Sequence, residues 1–148
     1  QGAGVGGTPP GGTFTISSTA ISGVQTYLLL IQATDNAGLT FSGVPTLSFG
    51  STTLAASFSS GVYANEVITT GGGGTQNNSS FAFQWDLTGQ GIAEGTALTA
   101  SWTGIANSSI YQIQANQGTN FAQVVPEPSA ALLGCAAIGL TMIRRRRA

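Results

Sequence analysis

The chain has 148 residues, of which five are acidic and four are basic, and it contains no histidine. The four bases are all arginines, so the composition excludes a Ser-His-Asp triad, imidazole metal ligands, a lysine phosphate clamp and a lysine Schiff base. With so few reactive side chains, the composition predicts that the chain is not an enzyme and holds no metal or other cofactor.

The charges are unevenly distributed along the chain. All four bases lie together near the C-terminus, at Arg144, Arg145, Arg146 and Arg147. The preceding body is acidic and has no base, which excludes a nucleic-acid partner, because phosphate neutralisation requires Lys or Arg. A hydrophobic content of 41% is high enough for a folded core, and the length fits one domain.

Three segments follow one another in the chain. Residues 1–12 are rich in glycine and proline and predict a flexible linker. In residues 13–124, short β-branched and aromatic runs are separated by Gly, Asn and Ser clusters about every ten residues. This spacing predicts eight or nine strands of an antiparallel β-sandwich, either jelly-roll or immunoglobulin-like. Residues 125–148 differ in composition and form the third segment.

The first long apolar run, residues 27–31, predicts a central strand covered on both faces, with a short buried helix as the alternative. Other strands show a period of two, which places alternate side chains in a core. The predicted inward residues are Phe14 and Ile16; Phe81, Phe83, Trp85 and Leu87; Leu98, Ala100 and Trp102; and Tyr111, Ile113 and Ala115. Ala82, Gln84 and Asp86 are predicted to face water.

Three further strands are predicted at residues 46–49, 53–58 and 62–69, and turns separate the strands. The clearest turn signals are residues 35–38 and the four glycines at 71–74 followed by residues 75–78. Residues 44–54 resemble the strand, glycine, strand hairpins of surface sandwich domains.

The third segment has the pattern of a stop-transfer element. Pro126, Glu127 and Pro128 are followed by fifteen uncharged residues, 129–143, and then by the four arginines. As a helix, residues 129–143 would be about 22 Å long, which is short for a bilayer core of about 30 Å, and arginine side chains can cover part of the difference. The arginines place this end in the cytoplasm and the body outside. The sequence therefore predicts a single short transmembrane helix.

A proline, glutamate, proline motif, a short apolar helix and an arginine cluster, in this order, resemble the PEP-CTERM protein-sorting signal. The resemblance covers residues 125–148. It implies export by a Gram-negative bacterium, transient contact with the inner membrane and an exosortase, and delivery to the cell surface or extracellular matrix. It also implies that Pro126, Glu127 and Pro128 form the recognition motif, and that Arg144, Arg145, Arg146 and Arg147 form the membrane stop.

Three functional hypotheses follow for the body. The first is an exported structural protein of the cell surface or biofilm matrix, and the second is a carbohydrate-binding module for exopolysaccharide. The third is a glycoside-active enzyme that relies on a pair of carboxylates, for which Asp86 and Glu94 are the nearest in sequence. Trp85 and Trp102 could form a sugar-stacking platform, but their predicted inward positions favour a core role. The threonine pair Thr13 and Thr15 is too short to indicate an ice-binding array.

Overall fold

The computed structural model of the chain describes residues 10–34, 41–69, 72–105 and 109–124. Within these ranges every regular element is a β-strand, which confirms the prediction of an all-β body. The strands in chain order are β1 (Pro10–Thr19), β2 (Thr26–Thr34), β3 (Thr46–Phe49), β4 (Thr52–Ala55), β5 (Phe58–Thr69), β6 (Thr75–Asp86), β7 (Ala97–Ile105) and β8 (Ile110–Gly118).

The strands form two antiparallel sheets that pack face to face. Sheet I has the order β1-β7-β3-β4, and sheet II has the order β5-β6-β2-β8. One apolar core contains side chains from both sheets, among them Leu47, Leu98 and Trp102 from sheet I and Leu29, Phe83 and Trp85 from sheet II. The indole N–H of Trp85 also crosses between the sheets and donates to the carbonyl oxygen of Leu54 at 3.0 Å. The body is therefore a β-sandwich.

The pairing of β1 with β7 confirms two of the predicted strands and their inward faces. Leu98, Ala100 and Trp102 are buried, and the ring of Phe14 stacks on Trp102 with centroids 5.8 Å apart. β1 begins at Pro10, so the last residues of the predicted linker, residues 10–12, belong to the strand. Backbone pairing with β7 extends to this end, where Pro10 lies opposite Ile105.

Strand β2 occupies the centre of sheet II, as the apolar run predicts. Its inner residues Tyr27, Leu29 and Ile31 are almost completely buried. Its outer residues Leu28 and Leu30 are only half-buried, so the expectation of cover on both faces is correct for one face and partly correct for the other. Part of the outer face of sheet II is covered by the chain that follows β8, and another part is open to solvent.

Two predicted boundaries are wrong, both where tertiary pairing outweighs local preference. Residues 75–78 are not a turn: β6 begins at Thr75 and pairs residue by residue with the far end of β5. This ladder and the β-branched partners Val67 and Ile68 outweigh the low strand propensity of asparagine. Residues 53–58 are not one strand either, because the chain leaves sheet I after Ala55 and enters sheet II at Phe58.

The predicted hairpin at residues 44–54 is present as β3 and β4. Phe49 lies opposite Thr52, which leaves a two-residue loop of Gly50 and Ser51. Gly50 has a φ of 54°, a left-handed conformation that glycine adopts without the steric cost that a Cβ would bring. A two-residue loop with positive φ follows the right-handed twist of the two strands and sets their register.

Strand β8 differs from the prediction at Tyr111. Its pairing with β2 shifts register between Gln32 and Ala33, which lie opposite Gln112 and Ile110. The shift leaves Tyr111 as an extra residue, and its side chain is 55% exposed. Ile113 and Ala115 pack against the core as predicted.

Candidate functional site

The outer faces of the two sheets are both uncharged over most of their area, but they differ in chemistry. On sheet I most of the outward residues are hydroxylic, and Ala55 and Ala97 lie on the same face. The hydroxylic residues are Thr13, Thr15, Ser17, Thr19, Thr46, Ser48, Thr53, Thr99, Ser101 and Thr103. We call this set the hydroxyl face. Three cross-strand pairs connect it, Ser17 with Thr99 at 2.9 Å, Ser48 with Thr53 at 2.9 Å, and Thr13 with Thr103 at 3.4 Å.

The hydroxyl face as a whole could not be recognised from the sequence, which shows only short alternating runs of Thr and Ser on separate strands. Its members come from four strands that are distant in the chain, and only the strand order brings them together. The hydroxyl pairs satisfy one another across the strands, which stabilises the sheet by roughly 0.2–1 kcal/mol per pair. The face has no carboxylate or base, so it offers only neutral hydrogen-bonding groups and methyls.

The outer face of sheet II contains a buried amide, and here the sequence prediction is wrong. Ala82 and Gln84 are predicted to face water, yet only 7% and 1% of their surfaces are exposed. The chain that follows β8 covers Gln84. Gln84 Nε2–H donates to the carbonyl oxygen of Ala122 at 2.7 Å, and its Oε1 accepts from the backbone N–H of Val124 at 2.9 Å. The side-chain amide therefore pairs with the backbone of this segment as a neighbouring strand would.

We call this arrangement the C-terminal clamp: Gln84, Thr26 and the segment of residues 119–124 that they hold. Thr26 Oγ1 accepts a second Nε2–H of Gln84 at 3.1 Å and fixes the orientation of the amide. The aromatic ring of Phe121 stacks on Phe58 with centroids 5.9 Å apart. Leu28 and Asn116 also line the cavity beneath the segment. The last described residues of the chain thus belong to the folded body.

Beside the clamp, the outer face of sheet II is open. A cavity of about 160 Å³ lies there, lined by Leu30, Ile31, Gln32, Tyr63, Ser80, Gln112 and Gln114. We call it the amide groove. Tyr63 lies within a register shift of β5, between Val62 and Ala64, and is 55% exposed. Gln114 Nε2–H donates to Asn116 Oδ1 at 3.3 Å, which links the groove to the lining of the clamp.

The tryptophans do not contribute to either outer face. Trp85 and Trp102 are 0% and 3% exposed and lie in the core, as their predicted inward positions indicate. The exposed aromatic side chains on sheet II are instead Tyr63 and Tyr111. No local pattern indicates the exposure of Tyr63, because it follows from the place of β5 at the edge of sheet II.

Two of the three carboxylates in the described residues, Glu66 and Asp86, lie far apart. Asp86 Oδ1 accepts the backbone N–H of Thr88 at 2.9 Å, which is a turn-stabilising role. Glu66 lies opposite Asn78, eight residues from Asp86 along β6, and this corresponds to about 26 Å. These two are too far apart for a glycosidase pair, which requires at most about 9.5 Å. No group of three or more His, Cys, Asp or Glu that could hold a metal occurs in the described part of the chain.

The residues of the predicted sorting signal, Pro126, Glu127, Pro128 and Arg144 to Arg147, lie outside the described residues, as does the predicted helix at 129–143. The turn predicted at residues 35–38 also lies outside them. Among the residues that are described, none forms a helix of the length and apolarity that a membrane crossing needs.

Comparison of the chain with protein-family models, curated proteins and solved structures found no match.

Proposed function

We propose that the chain is an exported structural protein of the cell surface or extracellular matrix, sorted by an exosortase through residues 125–148. The observation that carries this proposal is the order of elements in the tail. Pro126, Glu127 and Pro128 precede an uncharged stretch at residues 129–143 and then four arginines. The stretch forms a single short transmembrane helix during export from a Gram-negative cell, and the arginines hold its end in the cytoplasm.

The geometry of the body supports this proposal. All eight strands are complete by Gly118, and the clamp holds the chain up to Val124. Only Val125 separates the clamped segment from Pro126. Processing at or after the motif would therefore release a body that retains every described strand and both hydrogen bonds between Gln84 and the segment.

The surface chemistry of the body also supports a structural role in a matrix. Residues 1–143 contain no lysine, arginine or histidine. The outer faces present hydroxyls and amides, which hydrogen-bond to hydrated neutral polymers without strong electrostatic attraction to other proteins. We propose that the sandwich is of the jelly-roll or immunoglobulin-like type, which is common among secreted surface modules.

The sorting proposal is tested by replacing Pro126 and Pro128 with alanine in the native host and following the chain by immunoblot. The two prolines restrict the backbone on either side of Glu127 to extended conformations, which a processing enzyme can bind as a strand. We expect the double variant to accumulate as the unprocessed, membrane-associated form. The double variant of Pro9 and Pro10 is the matched control and should be processed normally. Processing of the Pro126 and Pro128 variant at the normal rate would contradict the proposal.

A second candidate function is binding of exopolysaccharide, and the amide groove is the observation that favours it. The groove combines an exposed tyrosine ring with several amides on an open sheet face. Amide groups that donate and accept hydrogen bonds beside an exposed aromatic ring suit a sugar, which presents hydroxyls and C–H faces. The first test is whether the purified full-length chain is retained by matrix polysaccharide of the producing strain. Failure of retention would eliminate this candidate and leave the sorting proposal intact.

A further inference from the structure

The amide groove crosses the full width of sheet II. Tyr63 stands on β5, Ser80 on β6, Leu30 and Gln32 on β2, and the pair Gln112 and Gln114 on β8. Four neighbouring strands span about 14 Å from the first to the last. This distance exceeds one sugar ring, so a ligand that contacts the lining residues on all four strands is a segment of a chain and not a single monosaccharide.

The lining determines which chemistry the groove can recognise. Each glutamine amide carries two N–H donors and a carbonyl acceptor, and can therefore bond a hydroxyl in either direction. The half-buried Leu30 adds an apolar floor, and the ring of Tyr63 adds an exposed aromatic surface for the C–H face of a sugar. Paired hydroxyls and C–H faces are the two features that a sugar ring presents together.

The absence of charge in the lining restricts the class of ligand further. None of the seven lining residues is an Asp, Glu, Lys, Arg or His, and residues 1–143 contain no Lys, Arg or His at all. A uronate or sulfate group would lose water in this groove without gaining a cationic partner, which is unfavourable. A cationic sugar would likewise find no carboxylate among the lining residues. The groove is therefore matched to an uncharged ligand.

We propose that the amide groove is a binding site for a neutral polysaccharide chain. Tyr63 packs against one sugar ring, and Gln32, Gln112 and Gln114 bond to hydroxyls along the chain. This inference rests on the second candidate function and names its site and its ligand class. It is independent of the sorting proposal.

The experiment uses the full-length chain with Arg144 to Arg147 replaced by glutamine, because these arginines would bind an anionic polymer independently of the groove. The detergent has no sugar headgroup, because a glycosidic detergent would compete for the groove. Affinity electrophoresis compares neutral polymers (a β-glucan, a galactomannan and a dextran) with the anionic polymers alginate and hyaluronan. We expect at least one neutral polymer to retard the chain and neither anionic polymer to do so. Equal retardation by anionic polymers, or no retardation by any neutral one, would overturn the inference.

Single substitutions then test whether the retained polymer binds in the amide groove. Tyr63→Ala should weaken association with the retained polymer at least about tenfold, whereas Tyr63→Phe, which keeps the ring, should stay within about threefold of the unmodified chain. Tyr111→Ala is the matched control, since Tyr111 has the same exposed fraction, 55%, but does not line the groove. Gln112→Ala should weaken association without affecting thermal unfolding. Binding that survives Tyr63→Ala, or that Tyr111→Ala weakens equally, would place the ligand elsewhere and overturn the assignment of the groove.

Discussion

The C-terminal clamp predicts that Gln84→Leu frees residues 119–124 while the sandwich remains folded. Leucine is similar in size to glutamine and keeps the site filled, but it has no amide group. It therefore removes the bonds from Gln84 Nε2 to the carbonyl of Ala122 and from the N–H of Val124 to Gln84 Oε1, at 2.7 and 2.9 Å. The stacking of Phe121 on Phe58 is not removed by this change.

The size of the effect follows from the two lost hydrogen bonds. A protein hydrogen bond contributes about 1 kcal/mol net, so the segment loses about 2 kcal/mol of docking free energy. Since about 1.4 kcal/mol corresponds to a factor of ten, the equilibrium constant for docking falls about 30-fold. The backbone N–H of Val124 loses its acceptor and is also exposed when the segment opens, so its hydrogen exchange should accelerate by at least this factor.

The measurement is amide hydrogen exchange at single-residue resolution on the full-length chain. The ratio of the exchange rates at Val124 and at Leu29 in the core strand β2 separates local release from global destabilisation. Gln114→Leu is the control, because this amide lies on the same face and donates to Asn116, not to the segment. An unchanged ratio in Gln84→Leu, or the same increase in Gln114→Leu, would refute the assignment of the clamp to Gln84.

Three other predictions concern stability and can be measured by urea unfolding of the full-length chain. Trp85→Phe should lower the free energy of unfolding by about 1–2 kcal/mol more than Trp102→Phe, because Trp85 Nε1–H donates to Leu54, whereas Trp102 Nε1 has no acceptor among the described residues. Equal losses would contradict a role for this bond. Gly118→Ala should cost about 1–3 kcal/mol, because its Cβ would lie 2.9 Å from Cγ2 of Thr26. Combining it with Thr26→Ser, which removes that methyl and keeps the hydroxyl, should restore most of the loss, and no recovery would disprove the clash. Because residues 1–143 contain no basic side chain, raising the ionic strength to about 0.15 M should change the free energy of unfolding by less than about 0.5 kcal/mol. A larger fall would reveal an ion-pair contribution.

The sequence predicted the core of this fold because the core depends on local alternation. Phe81, Phe83 and Trp85 alternate with smaller or polar residues, and this period alone assigns them to one face of a strand. The same reasoning failed for Gln84, since alternation says which residues share a face and not what covers that face. The cover comes from Ala122 and Val124, nearly forty residues later in the chain.

The candidate sites could not be predicted from the sequence for a related reason. The hydroxyl face joins residues as far apart as Thr13 and Thr103, so no window of sequence contains it. Tyr63 and Tyr111 lie at register shifts on the two edge strands of sheet II, and such shifts arise from the fit between whole strands and not from the residues themselves. Strand order and register are tertiary properties, and a period-two pattern does not determine them.

The clamp and the amide groove are neighbours on one sheet, and this has a mechanical consequence. Leu28 beneath the clamped segment and Leu30 in the groove are two residues apart on β2, a separation of about 6.6–6.8 Å. A polymer in the groove and a tether attached beyond Val124 would pull on adjacent parts of sheet II. The tension would pass along β2 and β8 without crossing the interface between the sheets. Under load the segment at residues 119–124 would peel away first, and the apolar core would remain closed.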